Sequence, residues 1–123
     1  MSIEPITEQK RPMAKYEVVM GRVIEGTVAD PMLVGFAVQF EGEAHYVLRF
    51  TMFPNNPYYL SKNRDSQSHY TAFAKQVKDP VTNAIRFQNP VGSGRLPNDL
   101  KSHLELYFPL LGTNVFMNLF PRS

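Results

Sequence analysis

The chain has no cysteine, which excludes disulfides, thiol nucleophiles, zinc–thiolate fingers and iron–sulfur clusters. It does not need such staples, because a chain of 123 residues buries roughly two-thirds of the surface its unfolded form exposes. A cysteine-free sequence fits a reducing compartment, and the expectation is a single soluble, cytoplasmic domain with no membrane association. Long apolar runs are also missing, so no segment reads as a membrane helix. The stretch from Met1 to Pro12 alternates charge, proline and isolated aliphatics, without the apolar core of a signal peptide. No internal repeat and no low-complexity tract is present.

Several chemical signatures are missing as well. Gly92-Ser-Gly-Arg95 lacks the lysine of a P-loop and matches neither common glycine fingerprint. There is no nucleophile elbow, and no carboxylate pair sits in a context suited to acid–base work. His45, His69 and His103 are scattered without metal-ligand spacing. Asp65 and His69 would meet on a helix, but their segment reads as turn and strand. Asp65-Ser-Gln-Ser-His69 gathers the residue types of a hydrolytic site, yet residues so close together normally serve turn chemistry. The sequence therefore assigns no catalytic residue, no metal site and no cofactor, and an enzyme with a polar site near 65–69 is the remotest reading.

What is present is strand patterning. Residues 1–13 read as a disordered arm and 14–123 as one globular unit. Ala14 to Ile24 is rich in β-branched and aromatic residues. Leu33 to Phe40 and Ala44 to Phe53 form a hairpin around Glu41-Gly42-Glu43. Pairing Phe40 with Ala44, Val38 with Tyr46, Phe36 with Leu48 and Val34 with Phe50 makes one face wholly apolar. Tyr58 to Lys62 is a short strand, and Asn63 to Ser68 a polar turn. Between His69 and Val77 the residues Tyr70, Phe73, Ala74 and Val77 fit a helical stripe, whereas Thr71, Phe73, Lys75 and Val77 fit a strand face. The turn at Asp79-Pro80 to Asn83 and the strand Ala84–Gln88 favour a hairpin.

Val91-Gly-Ser-Gly-Arg95 reads as a flexible connector leading to a helix over 97–108. That helix would start at Pro97-Asn98-Asp99 and place Leu100, Leu104, Tyr107 and Phe108 on one face. Thr113 to Phe120 closes the chain as a strand that is apolar on both sides, as in a central strand or a dimer interface. The expected fold is α+β: a mainly antiparallel sheet of five to seven strands with one C-terminal helix packed on it.

Charge is unevenly spread. Residues 1–57 hold seven acids and five bases, a balance of −2, and residues 58–123 hold eight bases and four acids, a balance of +4. Within the basic half, cations and aromatics interleave. Single-stranded nucleic acid is held by aromatic platforms for bases and cations for phosphates. Tyr58, Tyr59 and Tyr70 are the stacking candidates, and Lys62, Arg64, Lys75, Arg86 and Arg95 the phosphate contacts. Against this stands the ordinary reading of Phe73 and Phe87 as core and of the charges as a solvated face. The sequence ranks first a non-enzymatic binding module acting through a protein partner or self-association, since open sheets offer edge strands for pairing. Nucleic-acid binding ranks second.

Overall fold

Leu104, Leu106 and Phe108 are buried, while Tyr107 between them is exposed. That is an alternation of period two, and the backbone obeys it: His103–Phe108 is a strand. In the computed structural model, which describes residues 11–121, the chain forms eight strands. They are β1 (Pro12–Ile24), β2 (Thr27–Phe40), β3 (Tyr46–Phe50), β4 (Tyr58–Lys62), β5 (His69–Lys78), β6 (Ile85–Arg95), β7 (His103–Phe108) and β8 (Thr113–Asn118). Each pairs antiparallel with the next, and β8 returns to β1 to close a barrel. The expected α+β class with five to seven strands and a helix over 97–108 is thus overturned: the described residues are all-β and contain no helix. Residues 1–10 of the expected arm lie outside the described residues, and Pro12 and Met13 already belong to β1.

The closed barrel has a small interior, and its packing fixes the register. Large side chains (Leu48, Phe50, Leu60, Leu106, Phe108, Met117) share it with Ala37 and Ala72. Opposite Phe50 stands Gly35, and opposite Leu48 stands Ala37. The 33–53 hairpin is present, but its register is one residue away from the all-apolar pairing. Phe36 lies across from Arg49 and Val38 from Val47, so the bulky residues of β2 point outward. A one-residue slip exchanges the two faces of a strand, and a narrow interior selects the face carrying small residues.

The same crowding converts the expected connector 91–95 into strand. Gly92 pairs with Ala72, and Gly94 lies between Tyr70 and Leu106. A Cβ on Gly92 would sit 2.6 Å from the Phe108 ring. The glycines here make room; they are not hinges.

The hairpin over 69–95 forms as expected, although its second strand is longer. β4 accompanies β5 only as far as Tyr59 opposite Phe73. Beyond the bulge between Ala72 and Phe73 and the left-handed Asn89 (φ 60°), the hairpin leaves the barrel wall. Its distal half leans back over the outside of β3 and β4, burying His45 and Val47 there. The β1–β2 hairpin also outruns its neighbours, since β1 meets β8 only at Val18–Met117 and Val19–Phe116.

β8 is buried on both faces, and the cause is internal. Val115 and Met117 enter the barrel core, while Phe116 packs outside it with Val19, Leu100 and Val28. Apolar side chains fill the barrel, and Lys15, Glu17, Arg49, Arg95 and Glu105 lie on its outer face. Among the described residues no helix is long and apolar enough to cross a membrane.

Candidate nucleic-acid interface

Strand alternation decides which aromatic residues reach the outside. Leu60 and Ala72 are fully buried and opposite one another, so their odd-numbered neighbours Tyr59, Thr71 and Phe73 face outward. Tyr59 and Phe73 are themselves a cross-strand pair. Phe87, arriving from the folded-back hairpin, stacks on both. Its ring centroid is 5.8 Å from Tyr59 at 29° and 5.7 Å from Phe73 at 22°. The His45 ring meets Phe87 edge-on at 4.9 Å, with its Nε2 3.4 Å from Glu43 Oε1. The result is a row of rings across the outside of β4, β5 and β6.

Beside that row runs a groove of about 480 Å³, lined by Ser61, Lys62, Asn63, Arg64, Phe73, Ile85, Arg86 and Phe87. Three cations and two aromatic rings line it, and no acid does. Lys62 is positioned by donating from Nζ to Gln67 Oε1 at 3.3 Å. The turn at the far end of the hairpin is held by Asp79, whose Oδ1 accepts from the backbone N–H groups of Val81 and Thr82 at 2.8 and 3.3 Å. Those bonds hold its carboxyl below the usual carboxylate range.

The structure gathers only part of the residues singled out from sequence. Lys62, Arg64 and Arg86 share the groove, and Tyr59 borders it through Phe87. Lys75 is exposed on β5 opposite Gln88, just past Phe73. Arg95 lies apart, with its Nε donating to Glu105 Oε1 at 2.8 Å. Tyr58 and Tyr70 pack against the barrel core. Tyr58 lies among Phe50 and Phe108, and burial pushes the Tyr70 phenol above its ordinary pKa. Phe73 and Phe87, read from sequence as core, lie outside the barrel core and are half-buried against one another and Tyr59 in the ring row. The signal for Phe73 was its odd position in a strand whose even positions, Tyr70 and Ala72, are inside.

A second groove, of about 350 Å³, lies over the outer face of β5 to β8. Asn63, His69, Tyr70, Thr71, Ser93, Gly94, Arg95, Glu105, Tyr107 and Asn114 line it. Tyr107 is 47% exposed. Glu105 is held from both sides, by Arg95 and by Asn114 Nδ2, which donates to Oε2 at 2.6 Å. The Ser-His cluster sits at its rim and resolves into a turn. Ser66 Oγ accepts from the backbone N–H groups of Ser68 and His69, and both hydroxyls lie within 3.2 Å of His69 Nδ1. Among the described residues no carboxylate contacts His69, so the orienting acid of a catalytic triad has no counterpart here. No group of three or more metal-ligating side chains gathers among the described residues. No protein-family model, curated protein or solved structure matches this chain.

Proposed function

We propose that this chain is a non-enzymatic, cytoplasmic, single-stranded nucleic-acid-binding protein. One observation carries the reading: Lys62, Arg64 and Arg86 line the same groove as the rings of Phe73 and Phe87, and no acid lines it with them. Phosphates meet the cations, and bases stack on the ring row, which tolerates any base because each presents a π-face. The preference for a single strand follows from the rings, since a duplex keeps its base faces covered. The test is titration of a fluorescent oligodeoxythymidine at low salt. Saturable binding that weakens as salt rises is expected, and no binding at tens of micromolar protein defeats the reading.

Self-association stands second, on a different observation. At the end of the barrel bearing the β3–β4 and β7–β8 turns, Met52 is 76% and Leu110 94% exposed. With Met20, Phe53 and Leu111 they rim an apolar groove of about 370 Å³. Within the barrel wall β8 closes on β1, and Leu100 and Val19 cover Phe116. Among the described residues, the outer parts of the β1–β2 and β5–β6 hairpins keep edges that are not paired to a further strand. Sedimentation that returns a monomer at tens of micromolar rules this second reading out.

A further inference from the structure

We infer that the bound strand continues past the cationic groove, crosses at Asn63 and places a base against Tyr107 in the second groove. This inference rests on the nucleic-acid reading and extends its footprint. Asn63 lines both grooves, which makes it the residue at which a strand leaving one would enter the other. Asn63 is also fixed in place: its Oδ1 accepts from Thr71 Oγ1 at 2.7 Å, which leaves the side-chain amide N–H groups to meet a ligand.

The chemistry changes at that point. In the first groove the cations are unopposed. In the second, the Glu105 carboxylate is matched by Arg95 and bonded by Asn114, so this wall offers little net charge for a phosphate. Its floor is polar, made by the outward-facing Thr71 and Ser93, and the exposed Tyr107 lines it with them. A polar floor, an exposed ring and the Asn63 amide suit a flat, uncharged, hydrogen-bonding group, which describes a nucleobase better than a phosphate. The first groove therefore supplies most of the salt-dependent binding, and the second adds a stacked base.

The test compares oligodeoxythymidines of four and ten nucleotides, lengths within the range of about 4–16 nucleotides that small β-barrel sites cover. Tyr107→Ala is expected to weaken the ten-mer roughly tenfold and leave the four-mer unchanged, with Tyr107→Phe restoring the ten-mer because stacking needs only the ring. Since Tyr107 is exposed, the variant's melting temperature provides the check that the fold is kept. Equal affinity of wild type and Tyr107→Ala for the ten-mer overturns the inference, as does an equal loss on both lengths. The underlying reading fails separately, if the wild type binds neither length or if Phe87→Ala affects neither.

Discussion

The ring of Phe87 stacks on that of Tyr59, 5.8 Å away, although the two belong to strands separated by β5. This contact ties the distal β5–β6 hairpin to the barrel wall and at the same time builds the aromatic side of the groove. Replacing Phe87 with alanine removes three ring contacts from a half-buried position. The expected loss of stability is about 1–2 kcal/mol, from ring pairing and apolar burial together. Urea unfolding measures it, and faster proteolysis within 79–84 should accompany it.

Lys62, Arg64 and Arg86 should contribute to binding mainly through counterion release. Each conversion to alanine should flatten the log–log salt dependence by about 0.7 for a single strand. Lys15 lies elsewhere, over the Phe36 ring at 4.2 Å, and Lys15→Ala should leave the slope unchanged. Fluorescence anisotropy at four salt concentrations separates these outcomes.

Gly92 faces the interior with Phe108 and the Tyr107 carbonyl close by. Gly92→Val inserts three carbons where one already collides. Overpacking of this kind costs about 1–3 kcal/mol or more, so the variant should melt well below the wild type. A neutral effect would mean that the β6 backbone does not approach β7 as described.

The pH dependence should have one identifiable component near neutrality. Burial holds the His103 imidazole below its ordinary pKa, with Ser102 Oγ 2.8 Å from Nδ1. The fold therefore prefers the neutral ring, and the unfolded chain takes up the proton first. The stabilisation is complete above the unfolded value of about 6.5 and is lost as pH falls through the lower folded value. Thermal melts from pH 7.5 to 5 should fall more steeply for the wild type than for His103→Gln. Asp79, whose carboxyl also titrates low, contributes only at more acidic pH.

Most strand positions could be read from the sequence, but the faces and the topology could not. Leu100, Leu104 and Phe108 recur every four residues, which satisfies a helix and a strand equally. Leu106 and the exposed Tyr107 break the tie, and they do so only once burial is known. The 33–53 hairpin was visible from alternation, yet maximising apolar pairs selected the wrong register. In a closed barrel the scarce resource is interior volume, and Gly35 and Ala37 satisfy it. Closure itself left no local mark, since pairing of β1 with β8 joins residues about a hundred positions apart. The basic and aromatic character of 58–95 was legible, and so were Lys62, Arg64 and Arg86. Which rings stand outside was not, because that follows from the inward placement of Leu60 and Ala72 and from the folding-back of the hairpin.

Binding in the cationic groove is tested most directly by anisotropy of a labelled ten-nucleotide oligodeoxythymidine titrated with wild-type protein at several salt concentrations. The groove predicts saturable binding with a log–log salt slope near −2, as expected for about three neutralised phosphates on a single strand. Absence of binding at tens of micromolar protein in low salt, or binding indifferent to salt, would contradict it.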